Sequence, residues 1–302
     1  MAALEKRKLG KTGLDVTVLG IGAMELRGPG SAIRNGRPVE PAQAGKVLNL
    51  ALDGGINFID TCIDYGRSEE HIGNFISHRR DEYYLASKCG CNVDTKGVEA
   101  GTAERHIYTR QNIMDGVDLS LRRLKTDYLD VLQFHGAPPP EMREEAIQAL
   151  SDLKRDGKAR FIGVSDVLPE VSELLDMGVF DAFQFPYSAM EKEHEAFMSR
   201  CARNGVGTIV RGGIARGEPG HGLADPLRWA IWEAAKLDEL LDGMELFEFL
   251  LRYTITNPEL NTTIIGTLDP EHGAKNITAA AKGPLPTAMY EEANKGLAAL
   301  SA

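Results

Sequence analysis

The stretch Leu52-Asp53-Gly54-Gly55-Ile56-Asn57-Phe58-Ile59-Asp60-Thr61 carries the pattern that decides the fold. A helical run stops on it, with glycine just past the last helical residue, where a positive φ is needed. Residues 56–61 are then largely apolar on consecutive positions, as a parallel strand buried on both faces reads, and the run closes on a carboxylate. The same unit recurs in both directions. Arg155-Asp156-Gly157 and Arg203-Asn204-Gly205 stop two further helices, and Pro270-Glu271 fits the first turn of another. Strand-like runs fall at residues 16–22, 56–61, 83–88, 128–135, 159–165, 182–185, 206–211 and 262–266. Helical patterns fall at 42–52, 69–78, 110–124, 141–156, 169–177, 193–204, 244–256 and 270–281.

Eight β-then-α units predict an α/β fold closed as a (β/α)8 TIM barrel. The rival, an open doubly wound sheet, would show a phosphate loop after its first strand. Here that strand runs out through Gly20-Ile21-Gly22-Ala23-Met24, without GxGxxG before a helix. Ahead of it, Arg7-Lys8-Leu9-Gly10-Lys11-Thr12-Gly13-Leu14-Asp15-Val16 reads as an N-terminal β-hairpin placed to plug the barrel bottom. Long polar βα loops at 26–41 and 218–243, the second with a short helix near 227–236, would overhang the C-terminal, catalytic face. With no repeat or linker in view, residues 1–302 are expected to form a single domain.

Composition narrows the function. A hydrophobic fraction of 43% supplies one large core, and a net charge of −10 argues against nucleic-acid or anionic-membrane partners. The start MAALEKRKLGKTG lacks an apolar core and no long apolar run follows, so neither a secretory signal nor a membrane span is expected. The four cysteines Cys62, Cys89, Cys91 and Cys201 are too few for a disulfide scaffold and fit reduced thiols in the cytoplasm. Cys89-Gly-Cys91 has the wrong spacing for a zinc knuckle or a CxxC redox pair. His71, His78, His106, His194 and His221 are scattered over helices and loops, so no metal site is expected.

Polar residues stand where the strands end. Asp60 closes the second strand, Lys88 the third and His135 the fourth, while Ser165 and Asp166 close the fifth; Gln184 lies in the sixth, and Tyr65 follows the second. In a barrel all of them reach one mouth. A tyrosine hydroxyl, with a pKa near 10, is a poor proton donor and acceptor near neutrality. A neighbouring ammonium lowers that value, and a carboxylate keeps the ammonium charged and in place. Asp60, Lys88 and Tyr65 supply those three parts, and His135 supplies a donor for a carbonyl oxygen. The plainer alternative is a buried Asp60–Lys88 ion pair with Tyr65 as a rim aromatic.

These stretches resemble the aldo-keto reductase family. Gly55-Ile-Asn-Phe-Ile-Asp60-Thr-Cys-Ile-Asp-Tyr65-Gly-Arg-Ser-Glu-Glu is similar to its second-strand signature, and Leu85-Ala-Ser-Lys88 to its lysine strand. Leu129-Asp-Val-Leu-Gln-Phe-His135 resembles its histidine strand, and Gly157-Lys-Ala-Arg-Phe-Ile-Gly-Val-Ser165-Asp166 its fifth. The resemblance implies an NAD(P)H-dependent oxidoreductase that interconverts an aldehyde or ketone and an alcohol, working as a monomer or weak homo-oligomer. Tyr65 would be the acid/base, Lys88 and Asp60 its tuning pair, and His135 the group orienting the substrate. It implies further that Ser165, Asp166 and Gln184 hold the nicotinamide carboxamide. The loop carrying Gly212, Gly213, Ala215 and Gly217 would approach the pyrophosphate. Asn276 would meet the adenine, with Thr267 and His272 near the ribose 2′ position. Gly22, Met24, Asp60, Arg211, Gly266 and Lys275 complete the implied cofactor contacts.

The chain departs from the family pattern at three places. Asp166 stands where the family usually has Asn, and Arg211 where it usually has an aromatic stacked on the nicotinamide. The two are expected either to form a compensating ion pair beside the ring, or to leave Arg211 turned toward solvent or substrate. Gly266 and His272 stand where NADP-selecting members commonly carry Lys or Arg, with Lys275 where an acid is usual. The family base rate favours NADP(H), with NAD(H) the alternative. A catalytically weak, NADP-binding regulatory barrel is the rival function, and the complete tetrad argues against it. Met24, Glu25, the loop 26–37, Cys91 and Pro186 form the expected substrate wall, whose mixed polarity leaves the substrate open.

Overall fold

The computed structural model describes residues 3–28, 39–94, 103–215 and 225–300. Two short strands, β1 (Lys6–Lys8) and β2 (Asp15–Thr17), pair antiparallel. Eight further strands are parallel and close on themselves: β3 (Leu19–Gly22), β4 (Phe58–Asp60), β5 (Tyr84–Cys89), β6 (Leu129–His135), β7 (Ala159–Ser165), β8 (Ala182–Pro186), β9 (Gly207–Arg211) and β10 (Thr262–Ile265). Each pairs with its neighbour in sequence, and β10 returns to β3, so the protein is a (β/α)8 barrel.

The helices around it are α1 (Pro41–Asp53), α2 (Ser68–Phe75), α3 (Arg110–Leu124), α4 (Pro140–Arg155), α5 (Glu170–Asp176), α6 (Glu195–Asn204), α7 (Pro226–Ala234), α8 (Leu246–Thr256), α9 (Pro270–Ala281) and α10 (Thr287–Ala298). Several start where local chemistry dictates. Proline occupies the first turn of α1, α4, α7 and α9, where no amide donor is missed. Thr109, Asp225 and Asp269 accept hydrogen bonds from the first free amides of α3, α7 and α9.

The hairpin plugs the barrel as its sequence suggested. Leu9, Leu14 and Val16 are buried in one apolar cluster with Phe58, Ala86, Val131, Ala182 and Ile209 of the barrel interior. Gly10, at φ +51°, lies so close that a Cβ would stand 2.4 Å from the Gly207 amide nitrogen. Only glycine fits there. Arg7 clasps the same end by donating to the carbonyls of Ile255, Asn257 and Leu260.

That bottom layer fixes which side chains reach the mouth, because alternate residues of a strand share a face. Two residues above Phe58, Ala86, Val131, Ala182 and Ile209 come Asp60, Lys88, Gln133, Gln184 and Arg211. Four above Val131 comes His135. Parallel register then aligns them across strands: Gly22 beside Asp60, Lys88 beside Gln133, His135 beside Ser165, and Ser165 beside Gln184.

Three details differ from the sequence-based reading. The run 16–22 is not one strand, because Asp15–Thr17 pairs with β1 while Leu19–Gly22 enters the barrel, and the Val18 amide turns to Glu5. The helix expected over 69–78 ends at Phe75, and a 3-10 turn covers Ser77–Glu82. Helix α10 was not anticipated. Its Ala293 and Leu297 pack with Trp229, Trp232 and Phe249 in a second apolar cluster beside the barrel. Of the two long loops, residues 29–38 and 216–224 lie outside the described residues. What is described includes a 3-10 turn at Ala23–Arg27, helix α7, and a 3-10 turn at Leu237–Leu240. Among the described residues, no helix is long and apolar enough to cross a membrane.

Candidate active site

Asp60 is the hub of the mouth. Its Oδ2 accepts from Lys88 Nζ at 2.6 Å, and its Oδ1 accepts from Gln133 Nε2 at 3.1 Å and Gln184 Nε2 at 2.8 Å. Lys88 also donates to the Thr61 carbonyl at 2.9 Å. Neither partner of the ion pair is more than 2% exposed. Burial is the largest influence and lowers the ammonium's pKa, but Asp60, Tyr65 and Cys62 together outweigh it, and the Lys88 pKa is held above the ordinary lysine value.

Tyr65 reaches this pair from the turn after β4. Its amide donates to the Cys62 carbonyl, and the chain turns through Gly66, where a Cβ would lie 2.5 Å from the Arg27 carbonyl oxygen. The Lys88 ammonium stands 5.0 Å from the centre of the Tyr65 ring. That charge acts in the expected sense, lowering the phenol's pKa. Burial is larger, and the net result is a phenol held well above its ordinary value. Lys88 thus lowers the phenol's pKa as expected, against a larger opposing effect of burial that the sequence reading did not weigh, and the side chain stays protonated, in the form that donates.

His135 packs edge-on against Tyr65, with ring centroids 5.9 Å apart. Tyr108 fixes its backbone by donating to the His135 carbonyl at 2.8 Å. Burial pushes the imidazole down to about 3, so it is neutral at physiological pH. On its Nδ1 side lie Cys91 Sγ at 3.1 Å, Cys62 Sγ at 3.4 Å and Asp64 Oδ1 at 3.6 Å. Met24 packs against the buried cluster of Cys62, Ile63, Tyr65 and Cys91, so it lines the wall on the tyrosine's side.

Ser165 donates to Gln184 Oε1 at 2.6 Å, which turns the amide so that its nitrogen faces Asp60. Ser165 and Gln184 are thereby tied to the carboxylate that holds Lys88. Each retains spare capacity, a lone pair on Ser165 Oγ and one N–H of Gln184.

A protein-family model described as the aldo/keto reductase family matches residues 18–297. The chain belongs to the aldo/keto reductase family. It is 28% identical over 294 residues to the uncharacterized oxidoreductase YqkF of Bacillus subtilis, across 92% of this chain and 91% of that one. It is also 28% identical over 299 residues to L-galactose dehydrogenase of Arabidopsis thaliana, across 92% and 89%. Among solved structures, the holo form of aldo-keto reductase AKR11C1 from Bacillus halodurans is similar with a TM-score of 0.82 at 27% identity, covering 97% of this chain and 96% of that one.

In this aldo/keto reductase, Asp166 Oδ2 accepts from the Ala137 amide at 2.6 Å and its Oδ1 from the Val167 amide at 2.9 Å. The acid at this position thus staples the loop after β6 to the end of β7. Arg211 ends β9, half-buried, beside Pro186 in register. Gly212 follows at φ +75°, and the turn closes with the Ala215 amide donating to the Gly212 carbonyl. The Ala215 methyl is buried in the second apolar cluster, and Gly217 lies outside the described residues. Gly213 presses on the barrel rim, where a Cβ would meet Thr263 Oγ1 at 2.5 Å. Gly266 is as tight, with a Cβ position 2.8 Å from the Gly22 carbonyl.

At the far end, Thr267, Gly273 and Asn276 line a small, mainly apolar pocket with Val47, Leu50 and Ile277. His272 lies 3.9 Å from Asp269, and Lys275 lies 3.2 Å from Glu245, so an acid flanks each cation offered for a 2′-phosphate. Gln133, Cys62, Asp64 and Arg105 also belong to the site and were not anticipated as members of it. Gln133 left a readable trace: a polar residue in an apolar strand, on the same face as His135.

Proposed function

We propose that the protein is an NAD(P)H-dependent reductase of aldehydes or ketones, reversible toward alcohol oxidation. One observation carries this reading. Tyr65 is a buried phenol 5.0 Å beneath the charge of Lys88, which Asp60 holds at 2.6 Å, with the neutral His135 packed on the same ring. The chemistry supplied by the nicotinamide is a hydride to the carbonyl carbon. The remainder falls to side chains of this chain. Tyr65 gives its proton to the carbonyl oxygen. The phenolate left behind faces Lys88, whose charge stabilises it most strongly in a site from which water is excluded. Asp60 keeps Lys88 charged and fixed, and two glutamine amides fix Asp60. His135, neutral, donates one N–H to the oxygen and sets its direction.

The residues present fit a nicotinamide nucleotide. Ser165 and Gln184 match a carboxamide with the hydrogen-bonding capacity they retain, and Thr267, Gly273 and Asn276 stand together at the far end. NADP(H) is the preferred partner on family grounds. The acids beside His272 and Lys275 oppose a 2′-phosphate and make NAD(H) the serious competitor. The substrate class is a small carbonyl or alcohol, and a single-domain protein of the cytoplasm is the setting we infer.

The test is fluorescence titration with NADPH and NADH, comparing wild type with Tyr65→Phe. Expected is tight binding of one cofactor, kept in the variant, while turnover of a carbonyl panel falls by about 100-fold or more. Absence of binding for both cofactors would remove the enzyme assignment.

A further inference from the structure

The side chains on the Nδ1 side of His135 form a cluster that carbonyl reduction does not need. Cys62 and Asp64 come from the turn after β4, Cys91 from just past β5, and His135 from the end of β6. Successive strand ends of the barrel thus converge on one point. Cys62 Sγ and Cys91 Sγ are 3.5 Å apart, and His135 Nδ1 lies 3.4 and 3.1 Å from them. Asp64 Oδ1 lies 3.6 Å from that nitrogen. All four potential ligand atoms fall within 4.8 Å of one another.

We propose that Cys62, Asp64, Cys91 and His135 form a binding site for a divalent cation of the zinc class. These four separations, 3.1–3.6 Å, are close to those of a tetrahedral shell. Metal–sulfur bonds of about 2.3 Å and metal–nitrogen or metal–oxygen bonds of about 2.0–2.1 Å place neighbouring ligand atoms roughly 3.3–3.8 Å apart. Two thiolates, an imidazole and a carboxylate are a donor set that suits zinc and disfavours magnesium or calcium, which take oxygen shells.

An independent observation comes from Asp64. Arg105 donates to its Oδ2 from Nη2 at 3.0 Å and from Nε at 3.3 Å. Its other oxygen, Oδ1, is buried, faces the cluster and has no hydrogen-bond partner. A carboxylate held by one oxygen with the other left bare is the arrangement expected of a ligand oriented from outside its shell. The His135 carbonyl is pinned by Tyr108 and the Cys91 carbonyl by Asn112, which holds two of the ligand backbones in place.

Binding would release two thiol protons to solvent, since the carboxylate and the neutral imidazole need lose none. Four protein ligands close the shell. The ion would therefore clamp three strand ends and would not act as a Lewis acid on substrate. Coordination through Nδ1 leaves the His135 proton on Nε2. On the reductase reading, that is the tautomer that donates to a carbonyl oxygen. The site itself does not depend on that reading.

The test is titration of the reduced, metal-stripped protein with Zn²⁺ against a chromophoric chelator, and with Co²⁺ by absorption. Expected is one ion per chain, with the intense visible bands of tetrahedral cobalt and near-ultraviolet thiolate charge-transfer bands. Cys91→Ala and Cys62→Ala should abolish both, Arg105→Gln should weaken affinity roughly 10- to 100-fold, and Cys201→Ser and Tyr65→Phe should change nothing. Circular dichroism of each variant separates lost ligation from lost folding, and Arg105→Gln keeps every ligand. Zinc binding that survives Cys91→Ala in a folded protein overturns the proposal. So do cobalt spectra without charge-transfer bands, or a Cys62–Cys91 disulfide as the only chemistry found. None of these readouts uses turnover, so failure here leaves the reductase reading standing, and failure of turnover leaves this site standing.

Discussion

The Lys88 ammonium lies 2.6 Å from the Asp60 carboxylate with both side chains all but sealed from water. Breaking such a pair from one side leaves a buried charge without a counterion. We expect Asp60→Asn to cost about 3–5 kcal/mol in urea unfolding, and Lys88→Met a similar amount. The double variant Asp60→Asn/Lys88→Met should recover most of that loss, because no bare charge remains, yet stay without turnover. An Asp60→Asn protein as stable as wild type would mean that the pair is solvated in solution.

Gln133 and Gln184 both donate to Asp60, but only Gln184 is tied to Ser165. The two amides should therefore separate by readout. Gln184→Met removes a group proposed to hold the nicotinamide carboxamide and is expected to raise the cofactor Kd about tenfold, the value of one ordinary hydrogen bond. Gln133→Met should leave Kd within about twofold and lower kcat instead, since it loosens only the carboxylate behind Lys88. Equal effects on both constants from both variants would show that the glutamines act as one unit.

Much of this site was legible because strand ends are marked by sequence alone. Residues 159–165 and 110–124 match β7 and α3 at both ends, and the four residues of the expected tetrad converge as their strand positions require. The cysteine cluster was not legible. Cys62 and Cys91 each look like a lone small hydrophobe, and only the parallel register of β4, β5 and β6 brings them to one histidine. Helix α10 escaped for a related reason: its apolar face meets Trp229 and Trp232, some sixty residues earlier, and nothing local announces that partner. The lowering of the Tyr65 pKa by Lys88 was legible, but the larger opposing effect of burial was not, because charge is visible in a sequence and depth of burial is not.

Asp166 spends both carboxylate oxygens on backbone amides, those of Ala137 and Val167. An asparagine has one acceptor oxygen, so Asp166→Asn should lose one of these bonds and about 1–3 kcal/mol of stability. If Asp166 also neutralises Arg211 beside the nicotinamide, Arg211→Tyr will weaken cofactor binding less when Asp166→Asn is already present. The measurement is a double-mutant cycle on cofactor Kd, with coupling above about 0.5 kcal/mol expected for the pair. Additive losses would leave Asp166 with its loop-stapling role alone.

His194 gives the fold a pH dependence on its acid side. Its Nε2 accepts from the Leu168 amide at 3.0 Å, and its ring stacks on Phe185 at 5.7 Å. Burial holds its pKa below the ordinary histidine value, Glu193 opposes and Arg211 adds to the shift. Protonation would also put a hydrogen on the nitrogen that accepts from Leu168. The unfolded chain takes up its proton near pH ~6.5, before the folded protein does. The stabilisation is therefore complete above that pH and is lost as pH falls through the depressed native value. His71, whose two ring nitrogens are buried without partners and whose pKa is likewise lowered by burial, adds to the same trend. His194→Gln keeps an acceptor for Leu168 and removes the titration. Urea midpoints measured from pH 7.5 to pH 5 should fall in both proteins, and less steeply in the variant. Parallel curves would show that the imidazole is charged in the folded state and that Leu168 has another acceptor.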